Sequence, residues 1–224
     1  MKANRHNIGK AYYEYRALFT LQKLFPSEYD SFLHSDKPDL YNDEQDMGIE
    51  VVRGTNAQSE KRMSFFQKHI DMRMLDEIPR DKMKWFEMNG CEVITGADLG
   101  VMGEERAVGY IPEARWFSTI NLERAIKQKV EYIDRTNWRV NQLSLYVFSD
   151  SFKEYDLPDI IKLVKFTQDL QSYKNRKYKS LFIDDCGWFY RCDLQNSRIV
   201  FYNTEKILHE ICVMAKEAAE RNDA

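Results

Sequence analysis

An α/β or α+β fold, with a mixed central sheet flanked by helices, follows from three features of the sequence. Segments with helical apolar spacing alternate with short segments rich in β-branched residues. No internal repeat or low-complexity tract breaks that alternation, and 224 residues that are 43% hydrophobic can bury one core. The expected order is helix, two strands, helix, insertion, helix, strand, helix, two strands, helix, within a single domain spanning 1–224.

Residues 9–25, GKAYYEYRALFTLQKLF, predict a helix stopped by Pro26. Its stripe runs Ala11, Leu18, Leu21 and Phe25, and the missing step in that spacing is Glu14, a carboxylate where a core residue is expected. KPDLYND reads as a short extended segment, because the residue before proline avoids the helical region and turn formers follow. MGIEVVRG, between Gly48 and Gly54, reads as a strand with Ile49, Val51 and Arg53 on one face and Glu50 with Val52 on the other.

Met63, Phe66, Ile70 and Met74 predict a helix over 56–77 whose stripe is core packing. The segment at about 79–112 holds five of the nine glycines and reads as an insertion of irregular or short β structure. A helix is expected from about 118 to 135, capped by Ser118 or Thr119, with Leu122, Ile126 and Ile133 inward. Lys129 takes the step between the last two, so a lysine now occupies a core-facing position. NQLSLYVFSD reads as a buried strand, LPDIIKLVKFTQDL as a helix with Pro158 in its first turn, KSLFIDDCGWFYRC and SRIVFYN as paired strands, and TEKILHEICVMAKEAAE as a terminal helix.

Composition excludes several classes. A net charge of −3 argues against a surface that grips nucleic acid everywhere, leaving a local basic face to Lys61, Arg62 and Lys68 or to Lys174, Arg176, Lys177 and Lys179. No apolar run approaches the ~18 residues of a membrane helix and the first residues lack a signal-peptide core, so a cytoplasmic protein without membrane contact is expected. Cys91, Cys186, Cys192 and Cys212, like His6, His34, His69 and His209, lack zinc spacing and read as reduced thiols and isolated imidazoles. Neither a phosphate-binding glycine loop nor a serine-nucleophile elbow is present.

Singly, Asp39 can be a turn acid, Glu14 can pair with Lys10 or Arg16, and Lys129 can lay its stem on apolar surface. Together, an acid from a helix, an Asp at one strand and a Glu within the next can converge on one hard divalent ion. Pro38-Asp39, the strand Gly48-Ile49-Glu50-Val51-Val52 and the preceding Glu14 resemble the PD-(D/E)XK nuclease superfamily over roughly residues 10–55 and 118–150. The resemblance implies a restriction-endonuclease-like core with the C-terminal strand pair and helix as elaboration. It also implies Mg²⁺ or Mn²⁺ held by Asp39, Glu50 and the carbonyl of Val51, and Glu14 as an auxiliary acid. The substrate would be nucleic acid, with DNA expected, and a homodimer would suit cleavage of both strands of a duplex.

In that family the motif lysine stands two residues after the acid, a position Val52 fills here. Lys129 is the candidate replacement, because its stripe points it at the sheet. The alternative is an inactive nuclease-like scaffold that binds nucleic acid or protein, in which Asp39 or Glu50 is exposed or paired with Arg53 or another base. A third reading makes Glu14 and Glu50 the acid and base of a glycosidase, with Trp85, Trp116, Trp138 or Trp188 as sugar platforms.

Overall fold

The computed structural model describes residues 5–54, 57–71, 73–89, 91–98, 105, 107–112, 119–136, 138, 140–149, 155–185 and 187–222. The chain forms two compact units, one from Met1–Gly54 with Thr119–Ala224, the other from Thr55–Ser118.

The first unit begins with α1 (Arg5–Leu24), the one-turn α2 (Pro26–Tyr29), and the strands β1 (Leu33–His34), β2 (Leu40–Asn42) and β3 (Met47–Arg53). The chain re-enters this unit with α5 (Ile120–Tyr132), followed by a single 3-10 turn, β6 (Gln142–Phe148), α6 (Leu157–Gln171), β7 (Tyr178–Asp185), β8 (Trp188–Asp193), β9 (Ile199–Asn203) and α7 (Glu205–Asn222). Its seven strands run in the order β1-β2-β3-β6-β7-β8-β9. β3, β6 and β7 are parallel, and the outer pairs are antiparallel. Parallel neighbours need crossovers, which is where α5 and α6 lie in the sequence.

Each face of the sheet carries a helical layer. Ile49, Val51, Tyr146, Phe148 and Phe182 pack with Ala17, Leu18 and Leu21 of α1. Leu143, Leu145, Val147, Leu181 and Ile183 pack with Leu122, Ile126 and Val130 of α5 and with Ile160 and Leu163 of α6. The two-residue alternation of β3 thus divides it as its sequence predicts, with Val52 on the α5 side. Every such fully buried aliphatic side chain contributes about 1.5–3 kcal/mol, which is why both stripes hold their helices. α7 lies along α1.

Several boundaries differ from expectation. The helix over 9–25 begins at Arg5, and Pro26 opens a further turn. β1 was not anticipated, since two residues are too few to show alternation. The expected strand pair of the C-terminal region is three strands, because KSLFIDDCGWFYRC folds back on itself near Gly187 at φ +119, a conformation that favours glycine. Thr119 makes no capping bond to backbone; its hydroxyl donates to Glu123 Oε1 at 2.6 Å, and Ser118 lies outside the described residues. At α6 the cap is Asp156, whose side chain accepts the N–H of Asp159 at 3.0 Å.

The second unit contains α3 (Ala57–His69), α4 (Arg80–Met88) and a two-stranded sheet of β4 (Cys91–Thr95) and β5 (Ala107–Pro112) around Phe66, Ile70, Ile78 and Phe86. The helix expected over 56–77 ends at His69, and a 3-10 turn covers Leu75–Glu77. The segment read as irregular or short β also contains α4, whose Phe86 is buried. No helix among the described residues is long and apolar enough to cross a membrane.

Candidate active site

The four side chains singled out in the sequence lie in the first unit and meet. Glu14 of α1 is 4% exposed, Asp39 before β2 is 3% and Glu50 in β3 is 5%. Buried carboxylates need partners. Lys129 Nζ, from α5, reaches Glu50 Oε2. Lys10 Nζ lies 2.8 Å from Glu14 Oε1 and 3.4 Å from Asp39 Oδ1. The Val51 N–H donates to Asp39 Oδ2 at 2.8 Å. His34 Nε2 on β1 is 2.6 Å from Glu14 Oε2, and its ring stacks on Tyr15 at 4.4 Å.

Local sequence explains this convergence. Residue 48 must be glycine, because a Cβ there would meet Pro38 Cγ at 2.5 Å and Val140 Cγ2 at 2.8 Å. The bare backbone lets Pro38 close over β3 and sets Asp39 against the Val51 amide. The Lys37–Pro38 peptide is cis. Lys129 is next to the buried Val130, so its helix face is fixed by Ile126, Val130 and Ile133 while its stem runs toward the sheet.

The charges are uneven. Burial first, then the charge of Glu50 and that of Glu14, raise Asp39 to about 7 despite the Val51 amide and Lys129. Burial opposes ionisation of Glu14 too, but hydrogen bonds with His34, Lys10 and Asp39 outweigh it and hold its pKa below the ordinary value. Lys10 is held above its usual value, since Glu14 and Asp39 more than offset its own desolvation. Three carboxylates thus face two ammonium groups, and the proton on Asp39 makes up the shortfall at lower pH. Tyr178 of β7 feels the same field: burial, then Glu50 and Asp39, suppress ionisation of its phenol.

The donor set suits a hard divalent ion, being all oxygen, and such an ion would relieve the repulsion that holds the proton on Asp39. Lysines meet the carboxylates in this arrangement, and among the described residues no group of three or more His, Cys, Asp and Glu side chains is placed to hold a metal. Comparison with known proteins adds no relative: no family model, curated protein or solved structure matches this chain.

Three members of the cluster were not read as site residues. Lys10 stands four residues before Glu14, a spacing visible in the sequence. His34 and Tyr178 come from strands whose pairing brings them there, which no local pattern encodes. Val52, at the usual lysine position, is half-buried against the α5 core. Arg53 stacks over the Tyr13 ring at 4.2 Å. Arg16 pairs with Asp184 of β7 at 2.9 Å and not with Glu14. Trp85 stacks on Phe65 at 3.7 Å in the second unit and Trp138 and Trp188 pack on the α5-side core, so these three are packing residues. Trp116 and Cys186 lie outside the described residues. Cys91, Cys192 and Cys212 are free thiols.

Proposed function

We propose that this chain is a metal-dependent phosphodiesterase that hydrolyses nucleic acid through a PD-(D/E)XK-type site whose lysine comes from α5. The observation that carries the reading is the contact of Lys129 Nζ with Glu50 Oε2 across from the strand where Val52 replaces the motif lysine. The order of α1, three antiparallel strands, then α5 and parallel β6 also agrees with the helix and strand expected to follow the acidic strand.

Asp39, Glu50 and the Val51 carbonyl would hold Mg²⁺ or Mn²⁺, which at such a site lowers the pKa of a bound water and offsets charge on the phosphate. Hydrolysis joins the oxygen of water to phosphorus and releases one ester oxygen as an alcohol. Lys129 places a fixed positive charge beside Glu50, where negative charge grows on the phosphate oxygens, and the low-dielectric surroundings strengthen that effect. Glu14, held by His34 and Lys10, would orient a water beside the ion as the auxiliary acid.

One observation favours a second reading. Lys10 and Lys129 already partner the carboxylates, as a scaffold that binds nucleic acid or protein without chemistry would require. The two separate on incubation of the protein with labelled single- and double-stranded DNA and RNA in Mg²⁺, Mn²⁺ or EDTA. Cleavage in either metal and none in EDTA is the expected result. No cleavage of any substrate, with no Mn²⁺ uptake by calorimetry, assigns the chain to the inactive class.

A further inference from the structure

A second feature of the first unit bears on what the site would cut. The turn between α6 and β7 is tied onto the end of α5. The Arg176 N–H donates to Asp134 Oδ1 at 3.1 Å, the Arg176 guanidinium donates to the carbonyls of Thr136 and Val140, and Lys174 Nζ is 3.8 Å from Asp134 Oδ2. These bonds join two stretches of surface into one. Beside them opens a cleft of about 770 Å³, edged by Arg176, Lys177 and Lys179 and by the amides of Asn175 and Gln195. Among the described residues no Asp or Glu lines it, in a chain whose net charge is −3.

Two tyrosines stand out on the same joined surface. Tyr132, at the end of α5, is 61% exposed and Tyr173, in the turn, is 70% exposed. Each has a cation over its ring: Arg135 at 5.2 Å from the first and Lys174 at 5.3 Å from the second. Large rings left in water are poor solvated surface but good platforms for bases. Only unpaired bases can use them, since those of a duplex are already stacked on one another. Lys177 and Lys179 are exposed, and the Lys177 ammonium donates only to the Ser172 carbonyl at 3.2 Å among the described residues.

The cleft opens on the sheet face that also carries Glu50. Tyr178 forms part of its wall, sits in β7 opposite Leu143 of β6, and belongs to the same face of the sheet as Val52. Its hydroxyl is buried without a hydrogen-bond partner among the described residues. Glu50 points to that same face from β3, two strands away, so a strand lying in the cleft runs along the face that carries this acid.

We propose that this cleft and its two tyrosines bind single-stranded nucleic acid, phosphates along Lys177 and Lys179 and bases on Tyr132 and Tyr173, and so select an unpaired strand as the substrate. The substrate role rests on the nuclease reading; the binding does not. The test is fluorescence anisotropy in EDTA, with labelled single-stranded DNA, single-stranded RNA and the matching duplex, on the full chain and on the Lys177→Ala/Lys179→Ala and Tyr173→Ala variants. These positions are exposed, and circular dichroism checks that the variants fold.

Single strands should bind at least about tenfold more tightly than the duplex. Each lysine removed should reduce the slope of log affinity against log salt by about 0.7, and Tyr173→Ala should weaken binding about tenfold. The DNA and RNA arms identify which sugar the cleft prefers. Equal affinity for the duplex, or variants that bind as the wild type does, overturns the proposal. Single-strand binding without cleavage in Mg²⁺ fails the nuclease reading alone, whereas cleavage of duplex without single-strand binding fails this inference alone.

Discussion

Two groups of buried charge are carried by the same sheet and are built by opposite rules. On the α1 face, Asp184 of β7 is closed off: Arg16 donates to Oδ1 at 2.9 Å, the Tyr146 hydroxyl donates to Oδ2 at 2.9 Å, and Arg16 also lies over the Phe148 ring. Burial raises its pKa, but both neighbours favour its charged form. Asp39 is raised by burial as well, yet its carboxylate neighbours Glu50 and Glu14 add to the rise. The first group balances one carboxylate with one guanidinium, and the second is short of positive charge. The lysines of the second group also remain in reach of water, Lys10 with 65% of its side chain exposed and Lys129 with 30%, against 16% for Arg16. A structural ion pair needs no such opening, whereas the exchange of ions and substrate proposed for the second group does.

That contrast can be broken at its closed end. Arg16→Met leaves Asp184 buried without its cation and should lower stability by about 3–5 kcal/mol, read as a drop in the urea midpoint. Lys129→Met should cost less, about 1–3 kcal/mol, since Lys129 keeps 30% of its side chain in water, while slowing cleavage about 100-fold. A midpoint that falls as far as for Arg16→Met would make Lys129 a structural residue.

The protonation of Asp39 sharpens the comparison further. Its folded pKa of about 7 exceeds the ordinary value of 3.8, so the folded protein binds more protons across that window and stability falls as pH rises through it. Asp39→Asn should flatten this part of a stability–pH profile and leave the part due to Asp184. An unchanged profile would show that Asp39 is not held protonated. The smallest effect is that of the ion itself. Mg²⁺ at about ten times its Kd should stabilise the wild type by about 1.4 kcal/mol, seen as a rise in Tm, and should not stabilise Glu50→Gln.

Much of this was legible in the sequence, for physical reasons. The strand at 47–53 shows its faces through β-branched alternation, and the acid at Glu50 shows itself as the exception within it. Glu14 and Lys129 were legible in the same way, as charged steps in otherwise apolar helical stripes. What stayed hidden depends on pairing over long sequence distances. His34 reaches Glu14 only because β1 joins the sheet edge, and Tyr178 shares a sheet face with Glu50 only because β6 and β7 pair in parallel. The competing partners of Glu14 in the sequence, Lys10 and Arg16, were separable only by the position of Asp184, 168 residues beyond Arg16. The helix at 80–88 was obscured by the glycines that follow it.

The most direct test of the central claim compares cleavage by the wild type and Glu50→Gln, in Mg²⁺ and in EDTA, with nucleic-acid binding and the urea midpoint measured on both. The account predicts metal-dependent cleavage by the wild type, a rate at least about 1,000-fold lower in the variant, and unchanged binding and stability. Cleavage that persists in Glu50→Gln would contradict it, and would move the chemistry away from the carboxylates that α1, β3 and α5 bring together.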